Sequence, residues 1–310
     1  IISIFLGSQL EDVVKQLVET GEAAHLLEGG KLETGVSTLS DLEKDATDRN
    51  RTSPFAFTGN KFEFRMVGSS DSVAGPNTIL NAIVAEAFCE AADVLENAED
   101  FDLAVHDLIK EYMTKHQRII FNGDGYSEEW VAEAKRRGLP NIKSTIEASG
   151  ALTTEKAVKL FEKFGIFTKV ELESREEITY EIYAKTLNIE ALTMIDMVAK
   201  KYIPAIVKYT KFLADAVLAV REAGADASVQ LGLLNEVSAK LATAKNALAK
   251  LETVSGEAAS MKNGKEKAFF YKDVVKVAMD ELRAPIDELE KIVDKDVWPV
   301  PGYGDLTYEV

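Results

Sequence analysis

Lys61, Glu63 and Arg65 alternate with Phe62, Phe64 and Met66. On a β-strand that period puts the three charged side chains on one face, with about 3.3 Å of rise per residue. A carboxylate then lies between two cations on a stiff support. Glutamate in such a place supplies a hard oxygen to Mg2+ or Mn2+, and arginine offers a planar fork that matches a carboxylate or a phosphate. On alternation alone, the simpler explanation is a solvated Lys–Glu–Arg charge ladder.

The row needs a scaffold, and the flanking residues supply one. Gly59-Asn60 is a good two-residue hairpin loop. With that loop, Phe57 opposes Phe62 and Phe55 opposes Phe64 on a core face, while Ala56 opposes Glu63 and Pro54 opposes Arg65 on the polar face. The small partners are expected to leave the polar face open.

Around this ribbon the chain reads as mainly helical. Leu10, Val13, Val14 and Leu17 recur at helical spacing before Gly21. Residues 21–50 are loop-like. Pro76 and Asn77 open an apolar helix through Ile79, Leu80, Ile83, Val84 and Phe88, and further helices are expected at about 101–119, 127–137 and 153–164, with a turn at Asn122-Gly123-Asp124-Gly125. Cys89 belongs to the core of its helix, and His25, His106 and His116 are too scattered for a metal site.

From about residue 176 three long seams with three-four spacing follow one another. The first is Ile195, Val198, Tyr202, Ala205, Tyr209, Phe212 and Ala216. The second is Leu234, Val237, Leu241, Ala244, Leu248 and Leu251, and the third is Val275, Ala278, Leu282, Ile286, Leu289 and Val293. Such seams make an antiparallel bundle, with kinks expected at Pro204 and Pro285. The fold class is therefore α+β, mainly α, with a first part over 1–175 and a helical bundle over 176–310.

Composition narrows the function. With 52 acidic against 36 basic residues the net charge is −16, which disfavours nucleic acid and anionic membrane surfaces as partners. No apolar run reaches the ~18 residues that span a bilayer. Cys89 is the single cysteine, which suits a reducing, cytoplasmic setting. The apolar start at Ile1-Ile2, without a methionine, reads like the interior of a longer protein.

Arg49-Asn50-Arg51-Thr52-Ser53, followed by Lys61-Phe62-Glu63-Phe64-Arg65, resembles the glutamine synthetase signature, in which Asn-Arg-Ser precedes a basic-x-Glu-x-Arg strand. Gly75-Pro76-Asn77 is similar to the family's Asn-Pro helix start. Asp48 to Arg65 as a block, Phe121-Asn122-Gly123-Asp124-Gly125-Tyr126-Ser127 and the ending Tyr303-Gly304-Asp305 resemble the type III class. The resemblance covers essentially the whole chain.

The resemblance implies an ATP-dependent ligase that joins ammonium to L-glutamate through a γ-glutamyl phosphate, with ATP and Mg2+ or Mn2+ as cofactors and a ring-shaped homo-oligomer as the assembly. Arg51 matches the arginine on the transferring phosphoryl group, and Lys61 a basic residue near the nucleotide phosphates. Glu63 matches a metal ligand, and Arg65 the arginine that grips the substrate glutamate's carboxylate. Arg49 is a weaker candidate. Ala56 stands where type I enzymes carry a further arginine. The family's other metal ligands, its flap glutamate and most of the ammonium pocket have no counterpart here, so the chain is expected to be the carboxyl-terminal portion of the enzyme, with residues 1–175 from its catalytic domain, and inactive alone. Two other readings stand beside this one: another γ-glutamyl–amine ligase of the same superfamily, and a non-enzymatic helical assembly module.

Overall fold

The computed structural model describes residues 1–25, 31–32, 42–43 and 51–308. Asp48, Arg49 and Asn50 lie outside the described residues, as does most of the expected loop over 21–50. In chain order the elements begin with β1 (Ile4–Phe5), α1 (Ser8–Thr20), β2 (Lys31–Leu32), β3 (Leu42–Glu43), β4 (Phe55–Phe57) and β5 (Phe62–Phe64). Helices follow: α2 (Ala74–Leu95), α3 (Phe101–His116), α4 (Glu128–Arg136), α5 (Thr145–Ser149), α6 (Glu155–Lys163), α7 (Lys169–Met197), α8 (Ile203–Glu222), α9 (Ser228–Ser260), α10 (Gly264–Phe270), α11 (Lys276–Glu290) and α12 (Tyr303–Tyr308). The class is mainly α with one small three-stranded sheet, as expected.

Two compact units emerge: Ile1–Ser144 with Glu155–Phe167, and Thr145–Thr154 with Thr168–Val310. In the first, β4 is the centre of the sheet, parallel to β1 and antiparallel to β5. α1 stops where expected, at Gly21, whose φ of 90° closes the helix through a bond to Leu17 O. α2 opens at Ala74, two residues before Pro76. It is apolar on every side, a composition that normally marks a core helix, yet only Ala82 is buried and Phe88 is 71% exposed. Ile79, Ile83 and Val84 are exposed as well, because among the described residues α2 packs along the strip facing α3 and α6. Cys89 is half-buried there.

The second unit is a helical bundle built on α7, α8, α9 and α11. α9 packs on α8 and on α11. Lys240 pairs with Glu288 and Lys250 with Glu281, so α9 and α11 run antiparallel. The expected seams of α9 and α11 hold: Val237, Ala244, Leu248, Leu251, Val275, Leu282 and Leu289 are all fully buried.

The first seam departs from expectation. Val198, Ala205 and Tyr209 are buried as the seam requires, but Phe212 is 61% exposed, and Leu213 and Val217 are buried beyond it. A straight helix drifts ~20° per heptad from a strict three-four count, so the buried positions fall one place later only toward the far end of the seam. A π-helical turn over Val198–Tyr202 joins α7 to α8. Pro204 sits in the first turn of α8 directly after it, where its missing N–H is tolerated. Pro285 lies within α11, which continues through it.

Candidate functional site

The ribbon that carries the charged row forms as its residues dictate. β4 and β5 pair with Phe55 opposite Phe64, Ala56 opposite Glu63 and Phe57 opposite Phe62, and Arg65 N donates to Pro54 O at 2.7 Å to extend the ladder. Thr58 N donates to Lys61 O at 2.8 Å across the Gly59-Asn60 loop. Gly59 has φ of 95° and Asn60 does not turn positive, the pattern of a II′ turn with glycine first. Edge-on aromatic contacts lock the register: Phe55 meets Phe62 at 5.7 Å and Phe64 at 5.6 Å between ring centroids.

This register brings three of the candidate residues together. Glu63 Oε1 lies 3.6 Å from Lys61 Nζ, and Glu63 Oε2 lies 3.1 Å from Arg65 Nη2. The Lys61 side chain is 67% exposed, Glu63 40% and Arg65 30%, so the row runs from open solvent at Lys61 to half-cover at Arg65. Arg51 is exposed and has no ion pair among the described residues; it stands outside the Lys61–Glu63–Arg65 pairing.

The two faces of the ribbon are not covered as expected. Ala56, on the face of Glu63, is 1% exposed, while Phe62 and Met66, on the aromatic face, are 50% and 49% exposed. The reason is β1, which places Phe5, itself 4% exposed, beside Ala56 in the same cross-strand row. The polar face is thus closed over β1 and β4 and opens at the edge strand β5, where Glu63 sits.

A second group of residues anchors this sheet, and the sequence pattern alone did not single it out. Ile4 bridges in parallel to Ile120, and Phe121 N donates to Ile4 O at 3.0 Å. Asn122 Oδ1 accepts from Leu6 N at 2.9 Å and Gly7 N at 3.0 Å, pinning the exit of β1. Phe121 stacks on the buried Trp130 at 3.9 Å and 9°, and the Arg137 guanidinium lies 5.3 Å from the indole centre. Ser127 caps α4 through Trp130 N at 3.2 Å. A methyl group on Gly125 would meet Thr52 O at 2.4 Å, so glycine lets this turn approach the segment leading into β4. The usable signal was the Asn-Gly-Asp-Gly turn followed by tryptophan.

Glu133 ties the same group together. Its carboxyl is held down from 4.5 to about 2, chiefly by hydrogen bonds from Arg136 and then Arg137. A carboxyl depressed in the folded state contributes stability above its ordinary value and loses that contribution as pH falls through the folded one. An NMR titration of the Glu133 carboxyl is expected to show a midpoint near 2, moving up toward 4.5 in Arg136→Gln.

Residues 104–221 match the family model of the glutamine synthetase C-terminal domain, a stretch that begins in α3 and ends in α8. Over that stretch the chain is similar to the glutamine synthetase family. The chain is also similar to the "Type-3 glutamine synthetase" of Dictyostelium discoideum, 38% identical over 99% of this chain and 43% of that protein. It is likewise 37% identical to a "Glutamine synthetase" of Butyrivibrio fibrisolvens, over 100% of this chain and 44% of that protein. A "Glutamine synthetase" of Bacteroides fragilis is 33% identical over 99% and 44%, respectively. The chain therefore spans less than half the length of these relatives, and the ribbon lies outside the stretch matched by the family model. No helix among the described residues is long and apolar enough to cross a membrane.

Proposed function

We propose that this chain contributes the strand-borne part of the active site of an ATP-dependent glutamate–ammonia ligase, a cytoplasmic enzyme assembled as a ring of identical subunits. In that reaction a γ-carboxylate oxygen of L-glutamate attacks the terminal phosphorus of ATP, and the bond to ADP breaks. Ammonia then attacks the γ-glutamyl phosphate, phosphate leaves, and the amide of glutamine forms with loss of a proton. The observation that carries this reading is Glu63 held between Lys61 at 3.6 Å and Arg65 at 3.1 Å on a ribbon of fixed register.

In this reading Arg65, the better covered cation, orients the carboxylate of L-glutamate. Lys61, at the open end, meets the nucleotide phosphates, and Arg51 reaches the transferring phosphoryl group from the segment before β4. Glu63 fits as a ligand of Mg2+ or Mn2+ by its hard oxygens. No group of three or more His, Cys, Asp and Glu side chains gathers among the described residues, so it fits as a lone carboxylate, a mode Mg2+ accepts when phosphate oxygens and water fill its shell. Bound there, the ion would offset negative charge on the phosphates. The exposed apolar side of α2 supports a longer enzyme, since such side chains need a covering layer.

One observation favours a second reading, a non-enzymatic helical assembly module in which the row is a surface charge ladder: Arg51 is exposed and takes no part in the pairing. Arg65→Lys in a complete enzyme carrying this chain separates the two. Exchanging a planar fork for a point charge is expected to raise the KM for L-glutamate at least about tenfold, an effect of ~1.4 kcal/mol, with the KM for ATP little changed. Unaltered kinetics for both substrates would favour the module.

A further inference from the structure

We propose that a groove in the helical unit binds a free α-amino acid, preferring one whose side chain ends in an amide or carboxylate. The groove has a volume of about 560 Å3, within the range that holds small molecules, roughly 300–1,000 Å3. One wall is a single face of α7, on which Glu177, Glu181, Lys185 and Asn188 recur at helical spacing; the other is the turn from α9 into α10, with Lys262 and Lys267.

Its floor is polar and built. Tyr271 is 1% exposed, and its hydroxyl donates to Asn188 Oδ1 at 2.8 Å. Burial pushes the Tyr271 hydroxyl up, which keeps it a donor. Asn188 is thereby fixed with its oxygen occupied, and its Nδ2 hydrogens have no partner among the described residues, on a residue that lines the groove. Tyr271 is also the first residue of a second π-helical turn, Tyr271–Val275, between α10 and α11. Turns of that kind are uncommon and recur where side-chain placement serves a site.

The charges on the walls are complementary to a zwitterion. Lys185 is matched by Glu181 at 2.5 Å, and Lys267 Nζ donates to Ala259 O at 3.3 Å. Glu177 and Lys262 are left without an ion-pair partner among the described residues, one on each wall. An α-ammonium group fits Glu177 and an α-carboxylate fits Lys262. An acceptor oxygen at the end of the side chain fits the spare Asn188 donors, which is why alanine is the poorer ligand. A simple anion or cation would satisfy only one of the two walls. The inference concerns the helical unit alone and does not depend on the ligase reading of the ribbon.

Calorimetric titration of the 310-residue chain with L-glutamine, L-glutamate, L-alanine, acetate and methylammonium tests it. Saturable binding of L-glutamine or L-glutamate is expected, weaker binding of L-alanine, and none of acetate or methylammonium. Lys262→Ala and Glu177→Gln each remove one charge from an exposed position, so the fold persists, and each is expected to weaken binding at least about tenfold. Tyr271→Phe keeps the packing but frees Asn188, and is expected to abolish the preference over L-alanine. The proposal is overturned by the absence of saturable binding for every amino acid, by acetate or methylammonium binding as well as the amino acids, or by equal affinity in the Lys262→Ala and Glu177→Gln variants.

Discussion

Glu63→Ala, placed in a complete enzyme carrying this chain, is expected to lower ATP-dependent glutamine formation at least about a thousandfold, a barrier change of ~4 kcal/mol, while the protein remains folded. The two halves of that expectation have separate physical grounds. Glu63 is 40% exposed at the edge strand and its partners are exposed or half-covered, and ion pairs of that kind stabilise a fold by only ~0–1 kcal/mol. The register instead rests on the Phe55, Phe57, Phe62 and Phe64 contacts and on the backbone ladder. Loss of the carboxylate, by contrast, removes the one acid from between two cations. Lys61 and Arg65 would still attract phosphate, so kcat is expected to fall while the KM for ATP changes little. Phosphate release assayed with L-glutamate and ammonium decides the matter, and near-normal turnover would sink the assignment of Glu63.

The second large effect is on stability. Trp130→Ala is expected to cost about 3–5 kcal/mol, the usual range for emptying a fully buried aromatic site. Trp130 is 1% exposed, stacks on Phe121 and carries the Arg137 guanidinium over its ring. Those two neighbours hold the segment that bridges to β1, so the change should loosen the sheet under the charged row as well as α4. Trp130→Phe is the informative companion. The indole Nε1 is buried with no hydrogen-bond partner among the described residues, so phenylalanine strands no acceptor there, and its cost is expected to stay within about 1–2 kcal/mol. Urea unfolding of both variants measures the pair. Equal losses would show that phenylalanine cannot hold the stack on Phe121 and that the full indole is needed.

How much of this was legible in advance depended on whether local rules or distant chain segments decide the outcome. The hairpin was legible in full: strict alternation and a Gly-Asn loop leave one register, and Phe57 does face Phe62. The covered side of that hairpin was not, because Ala56 is buried by its pairing with Phe5, some fifty residues away in the chain. The seams of α9 and α11 were legible because a constant repeat runs through them. The far end of the seam in α8 was not: Val198, Ala205 and Tyr209 are buried on the count, but Leu213 and Val217 are buried where it gave Phe212 and Ala216, since a straight helix drifts away from a strict three-four repeat. α2 looked like a core helix by composition, and its side chains stay exposed because burial depends on a neighbour rather than on the helix itself. Of the candidate site, the Lys61–Glu63–Arg65 contact follows from spacing alone, whereas the position of Arg51 depends on a segment without a period.

The wide turn at Val198–Tyr202 also bears on how this protein can change in length. On either side of it the long rod formed by α7 and α8 keeps its own internal count, and any single-residue gain or loss within a regular stretch would swing every later apolar side chain by about 100° around the rod. Only at the wide turn is one such step already absorbed. One-residue length differences between this protein and its kin should therefore gather there.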